Sequence, residues 1–215
     1  MVDWAGNKKS LFSQLGATNH SDYQRAEHDY YATDPNAIDA LFEQTDFFSG
    51  VRMVLEPACG GGHLAERMKE YGLYVVATDL YDHGYGDSIG MDFLEATIPG
   101  IVGADAIVTN PPYKYALEFC EKCVELMVPK FAMFLKLTFL ESKKRRRFFE
   151  KYPPRYVAVF SERITVARNG DPEAFKKSSA ACYAWFIWEK GFVGKPEILW
   201  LNKKGEKRKN EKSNL

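Results

Sequence analysis

Two short stretches of this 215-residue chain put chemistry-bearing residues where a strand should end. In ADAIVTNPPY, the small and β-branched residues through Val108 read as a buried strand, which stops on Asn110 and runs into Pro111, Pro112 and Tyr113. A carboxamide oxygen is a neutral hydrogen-bond acceptor, prolines stiffen the backbone without an N–H, and tyrosine offers an aromatic face. Because Asn110 precedes a proline, its backbone is biased toward an extended conformation. In VLEPACGGGHLAER, glycines follow another strand and open a helix. Backbone there can approach a ligand closely, and the helix start supplies unpaired N–H groups. Gly60-x-Gly62-x-x-Ala65 has the dinucleotide spacing, and Asp79 ends the next strand about 20 residues on.

Glu56 separates the ligands such a turn could take. A carboxylate ahead of the glycines repels a diphosphate and attracts an ammonium or sulfonium group. Both stretches close strands, and open α/β sheets bind ligands outside the carboxyl ends of their strands. The residues therefore favour a ligand with a positive charge and an adenosine over a dinucleotide. An NAD-dependent oxidoreductase is further disfavoured by the absence of a matched Tyr/Lys or His pair. The plain alternatives are a tight turn without a ligand at the glycines, and a proline-rich turn with Tyr113 capping the core.

These residues need a scaffold. A helix starts in TDPNAIDALFEQ, with Asp34 as N-cap, Pro35 at the first helical position, and Ile38, Leu41 and Phe42 on one face. RMVLEP then reads as a strand, GHLAERMKEYG as a helix ending at Gly72, and LYVVATDL as a strand. A short extended piece ends near Met91 and Asp92, and ADAIVTN is the next strand. Residues 114–128 read as a helix, FAMFLKL as a strand and 141–150 as a helix. RYVAVFS, CYAWFIWE and EILWLN close the pattern as strands, with a polar loop over 161–180. Alternating strands and helices argue a parallel sheet covered on both faces, and the final strands a hairpin-like, partly antiparallel edge.

Composition sets the class. Hydrophobic residues are 46% and charged residues 27%, as in a globular domain. No apolar run reaches the roughly 18 residues of a membrane helix, and MVDWAGNKKSLFSQ lacks the apolar core of a signal peptide. A cytoplasmic protein without a membrane partner is expected. Of the four cysteines, the close pair Cys120 and Cys123 lies in a segment where Leu117, Cys120, Val124 and Met127 make an apolar stripe at helical spacing, so core packing is expected and no metal. His63 reads as a surface residue at a helix start, and His20, His28 and His83 have no ligand spacing. Trp185 and Trp188 read as packing.

The formal charge is zero but uneven. Residues 1–110 hold 6 Lys/Arg and 17 Asp/Glu, a net −11, and residues 111–215 hold 23 and 12, a net +11. A one-sided basic surface is what a polyanion sees. The candidate nucleic-acid contacts are Lys143, Lys144, Arg145, Arg146 and Arg147, the pair Lys176 and Lys177, and the C-terminal tail. A solvated helix face and a frayed tail are the bland alternatives.

In order along the chain, these motifs resemble S-adenosylmethionine-dependent adenine-N6 methyltransferases, most nearly the phage- or prophage-type DNA enzymes. EPACGGG resembles the family's glycine motif, Asp79 its ribose-binding acid, and Asp92-Phe93 the pair that holds the cofactor adenine. NPPY (Asn110 to Tyr113) resembles the catalytic motif, and DYYATDP the segment that lies over bound cofactor. The likeness runs over most of residues 18–201 and includes FLES and CYAWFIWEK; no separate target-recognition domain is visible.

The resemblance implies a Rossmann-like class I methyltransferase fold, α/β, with a mostly parallel seven-stranded sheet and an antiparallel edge. It implies cofactor contacts from Tyr31 and Thr33, from Glu56, Pro57, Ala58, Gly60 and Gly62, and from Asp79 with Leu80. Asp92, Phe93 and Asn110 complete that set, and Asn110, Pro111, Pro112 and Tyr113 are the implied catalytic residues. The expected organisation is an arm over 1–29, one methyltransferase domain over 30–201 and a basic tail over 202–215, in a bacterial or phage-infected cell.

The chemistry suits the motif. The exocyclic nitrogen of adenine is a poor nucleophile because its lone pair is delocalised into the ring. An acceptor on each N6–H lets the nitrogen pyramidalise and offsets the positive charge that grows on methyl transfer. The Asn110 side-chain oxygen is one such acceptor and the Pro111 carbonyl the other, while Tyr113 would stack the flipped base. The expected partner is double-stranded DNA with the adenine out of the stack, at a cost of a few kcal/mol. Adenine in RNA, a glutamine amide in protein, and a catalytically silent nucleic-acid-binding subunit stay open as alternatives.

Overall fold

The computed structural model describes residues 30–97, 103–171, 173, 175 and 181–203. Strand β1 (Tyr31–Thr33) leads into helix α1 (Asn36–Gln44), and Asp34 caps it as expected, its Oδ1 accepting the Asn36 N–H at 3.0 Å. Strand β2 (Met53–Glu56), helix α2 (His63–Glu70) and strand β3 (Tyr74–Asp79) follow. Helix α2 stops where Gly72 turns to φ +84°, with Gly72 N–H on the Lys69 carbonyl and Leu73 N–H on that of Met68. That is the paired C-terminal closure that glycine permits without a Cβ penalty.

Strands β4 (Ser88–Ile89), β5 (Ala106–Thr109) and β6 (Lys130–Lys136) continue the chain, with helix α3 (Ala116–Glu125) between the last two. Helix α4 (Lys143–Lys151) and strands β7 (Tyr156–Phe160), β8 (Val166–Arg168), β9 (Tyr183–Glu189) and β10 (Glu197–Leu201) complete the described elements.

The main sheet has the order β10-β7-β9-β6-β5-β2-β3-β4. That is eight strands where seven were expected, because the two-residue β4 also pairs, with β3. All neighbours are parallel except around β9, which runs antiparallel to both β6 and β7. The reversal expected in this half of the sheet is thus two strands in from the rim, and β10 joins β7 in parallel.

Residues alternate between two cores, as a sheet buried on both faces requires. Tyr183, Trp185 and Ile187 of β9 pack with Ile38 and Leu41 of α1 and Leu64 and Met68 of α2. Ala184, Phe186 and Trp188 face Leu117, Cys120 and Cys123 of α3 and Phe148 of α4. The two tryptophans and the two cysteines are therefore core residues. Both indole N–H groups are satisfied, Trp185 on the Ala37 carbonyl at 2.8 Å and Trp188 on that of Tyr152 at 2.9 Å.

A small second sheet lies apart from the main one. Strand β1 pairs antiparallel with β8, Tyr31 opposite Arg168 and Thr33 opposite Val166. Part of the expected 161–180 loop is therefore a strand. Asn202 and Lys203, assigned to the tail from sequence, are anchored: Asn202 exchanges hydrogen bonds with Gln44, and the Lys203 ammonium lies 2.7 Å from Asp34. The arm over 1–29, the remaining tail over 204–215, and Lys176 with Lys177 lie outside the described residues.

Candidate active site

Because β2, β3 and β5 are parallel neighbours, Glu56, Asp79 and the residue after Thr109 leave the sheet on one edge. A cavity of about 530 Å3 opens there. Tyr31, Thr33, Glu56, Asp79, Asp92 and Asn110 line it, drawn from five separate segments. Pro57, Ala58, Leu80, Phe93 and Pro112 do too, so eleven of the residues assigned from sequence meet at one place.

Gly60 and Gly62 were also expected at the cofactor, yet neither lines the cavity. They have φ of +51° and +81°, and a side chain on either would collide with an aromatic ring, Tyr30 at Gly60 and Tyr85 at Gly62. Both glycines turn the chain and leave room for those rings to pack. Tyr30 also accepts the Gly61 N–H on its hydroxyl at 3.0 Å and stacks on His83 at 4.2 Å between ring centres. Tyr30, His63 and His83 all line the cavity and were missed or set aside in the sequence. The doubled tyrosine of DYYATDP was the available clue to Tyr30.

Asp79 braces the turn. One carboxylate oxygen accepts the Gly60 N–H at 2.8 Å and the other that of Tyr81 at 2.9 Å. Each oxygen keeps a second lone pair for a hydroxyl in the cavity. Asp92 accepts the Leu94 N–H at 2.9 Å, and Phe93 is buried against Phe119.

Glu56 is only 2% exposed, and its Oε2 has no hydrogen-bond partner. Burial, and after it the Asp79 carboxylate, hold its pKa well above the usual carboxylate range, with the Ala65 N–H and the Lys69 charge opposing. A lone carboxyl in that position is costly unless a positive group completes it.

Asn110 is held by one end. Its Nδ2 donates to the Tyr31 carbonyl at 3.0 Å and to Thr33 Oγ1 at 2.9 Å. A carbonyl only accepts, so the amide's NH2 must face β1 and its oxygen must face away. That oxygen, Oδ1, is buried with no partner among the described residues. The Pro112 carbonyl takes the Tyr115 N–H at 2.8 Å, and Pro111 is buried behind it.

Tyr113 does not line this cavity. Its hydroxyl points inward beside Tyr183 and Asn110, its ring lies 5.5 Å from that of Tyr31, and the Lys136 ammonium sits 4.9 Å from its centre.

The basic run does not act as a unit. Lys144 pairs with Glu118 at 3.0 Å, Arg145 donates to the Thr138 carbonyl at 2.7 Å, and Arg146 pairs with Glu150 at 2.7 Å. Lys143 and Arg147 are exposed. None of the five lines the 530 Å3 cavity.

No protein-family model matches the chain, and no curated protein matches it in sequence. Solved structures do match. A candidate RNA methyltransferase from Pyrococcus horikoshii superposes with a TM-score of 0.57 at 15% identity, covering 86% of this chain and 99% of that one. The human methyltransferase 10 domain containing protein gives 0.53 at 13% identity, covering 86% and 96%. The chain carries the Rossmann-like methyltransferase fold. The type IIG restriction endonuclease BpuSI shares it, with a TM-score of 0.51 at 15% identity over 86% of this chain and 28% of its own. In this fold the glycine turn, Asp79 and Asn110 stand at the ends of three adjacent central strands, where the parallel sheet opens.

Proposed function

We propose that this chain is an S-adenosylmethionine-dependent methyltransferase that acts on the N6 amino group of adenine in DNA. The observation that carries the proposal is Asn110, an amide locked by its nitrogen so that an unpartnered oxygen is left at the end of a central strand. A structural asparagine would use both ends.

The residues present fit the cofactor. Glu56, buried and unpaired, suits the cationic methionine end, Asp79 has lone pairs free for ribose hydroxyls, and Asp92 and Phe93 form the wall assigned to the adenine. When bound, S-adenosylmethionine supplies an electrophilic methyl group on a positive sulfur. The protein's share is alignment and electrostatics. Asn110 Oδ1 accepts one N6–H and the Pro111 carbonyl the other, which localises the nitrogen lone pair toward the methyl group. No strong base is required, because the methylated nitrogen is acidic enough to lose its proton to water.

Thr33 acts through Asn110. Thr33→Val removes one of the two acceptors that fix the amide, a loss of about 0.5–1.5 kcal/mol. Turnover should fall roughly 2- to 10-fold, with cofactor affinity changed less, as read by single-turnover kinetics beside calorimetric titration. An equal loss in both would make Thr33 a cofactor contact instead.

A nucleic-acid acceptor agrees with the +11 charge of residues 111–215 and with the names of two structural neighbours. The Pyrococcus protein, described as a candidate RNA enzyme, favours RNA as a second reading. Incubation with methyl-labelled cofactor and separate DNA, RNA and protein fractions distinguishes them. Label in DNA is expected; label in RNA alone selects the second reading, and label only in protein, or nowhere, overturns both.

A further inference from the structure

A second cavity, of about 380 Å3, lies between α3 and α4, across the segment that follows Pro112. Lys114 borders both cavities, and Tyr113 lines this one. We propose that it is a binding site for a phosphodiester of the nucleic-acid substrate, held by Lys136 and Lys144 with Arg145 beside them. That the ligand is a nucleic acid rests on the proposed function; that the site takes an anion rests on the charge of its lining and on the start of helix α4.

The lining is one-sided. Lys114, Lys136, Lys144 and Arg145 face a single carboxylate, that of Glu118. Glu118 is already engaged by Lys144. Lys136 has no carboxylate partner among the described residues, and its ammonium rests over the Tyr113 ring at 4.9 Å. A cation parked on a ring beside an open cavity can move to a stronger partner at little cost, since a cation–π contact is weaker than a phosphate ion pair.

Helix α4 breaks a rule that the other three α-helices among the described residues keep. Helices α1, α2 and α3 each place an acid in their first turn, Asp39, Glu66 and Glu118. That is the arrangement the helix dipole rewards. Helix α4 has no acid there, and Lys143, Lys144, Arg145 and Arg146 crowd its positive end behind the Ser142 cap. Four cations at a helix start repel one another and the dipole. Local rules are broken where function requires it, and an anion at this end offsets part of that repulsion. Arg146 is excluded from the site because it pairs along the helix with Glu150 and lines a different recess. The cavity therefore presents four basic side chains and one carboxylate immediately beyond the proline pair of the NPPY segment.

The test is fluorescence anisotropy with a labelled 12-nucleotide single-stranded DNA, and an RNA of the same sequence, between 50 and 200 mM NaCl. Each phosphate contact on a single strand adds about 0.7 to the slope of log affinity against log salt. The double variant Lys136→Ala/Lys144→Ala removes that one phosphate contact, so it should lower the slope by roughly 0.7 and weaken binding at 50 mM salt. Lys190→Ala/Lys195→Ala removes the same charge from the turn between β9 and β10, at the opposite edge of the sheet, and should leave the slope unchanged. A phosphodiester site predicts the same slope change with DNA and RNA. An unchanged slope in the first variant, or an equal fall in the control, overturns the proposal. Methyl transfer by the unmodified protein is measured in parallel. If the slope falls while no methyl group is transferred, the anion site stands and the proposed function fails.

Discussion

Replacing Asn110 with alanine is expected to lower methyl transfer at least ~10²-fold, comparable to deleting one preorganised polar group from a transition-state site. The expectation follows from where charge develops. In free adenine the amino nitrogen is nearly planar, and only as the methyl group arrives do its hydrogens become strongly acidic. A fixed acceptor gains most at that moment, so its loss appears in turnover more than in binding. Asn110 Oδ1 accepts no hydrogen bond among the described residues, and its NH2 is tied to Tyr31 and Thr33. The amide is therefore oriented before substrate arrives. The alanine variant also loses those two ties, so thermal unfolding and cofactor titration accompany the kinetics. Retained folding and cofactor affinity with turnover lost is the expected pattern, and near-normal turnover would remove the mechanism.

Glu56→Gln should move stability and binding in opposite directions. In the folded protein without ligand, burial and the Asp79 carboxylate raise the Glu56 pKa well above its usual value of 4.5. Between the usual and the raised value the folded state holds a proton that the unfolded state has released, so stability falls as pH rises through that window. Glutamine removes the decline. The midpoint difference between the variant and the unmodified protein should therefore widen in the variant's favour from about pH 5 upward, by roughly 2–4 °C for each kcal/mol recovered. Binding should behave in the reverse sense. Opposite charges about 4 Å apart gain about 4 kcal/mol at an effective dielectric near 20. Loss of the carboxylate should then weaken S-adenosylmethionine on the order of 10²-fold, within that bound. Affinity for the unmodified protein should also fall with acidification, as Glu56 takes up its proton, and the variant should lack that dependence. A variant that binds normally, or unfolds earlier, would make Glu56 a structural acid.

Much of this site was legible because its signals are local. The glycine turn, the Asp34 cap and the strand ending at Asn110 each follow from a few neighbouring residues, and the structure has all three. What was not legible depends on distant pairing. The bonds that orient Asn110 come from residues 79 and 77 positions away. They exist because the three-residue β1 is held by the equally short β8. Strands of that length carry too little periodicity to be seen alone. For the same reason the packing of Tyr30 and Tyr85 over Gly60 and Gly62, in the space their missing side chains leave, could not be read from the sequence. The sequence offered the five residues of KKRRR as candidate contacts without placing them on a face, and the helical turn divides them: Lys144 and Arg145 face the second cavity, and Arg146 pairs along the helix.

The most direct test of the central claim is nucleoside mass spectrometry on DNA incubated with the protein and S-adenosylmethionine, then digested to single nucleosides. N6-methyladenine should accumulate with time, depend on the cofactor and fall to background with the Asn110→Ala variant. DNA that stays free of N6-methyladenine, or that gains it equally with the variant, would contradict the assignment of Asn110 as the acceptor that activates the adenine amine.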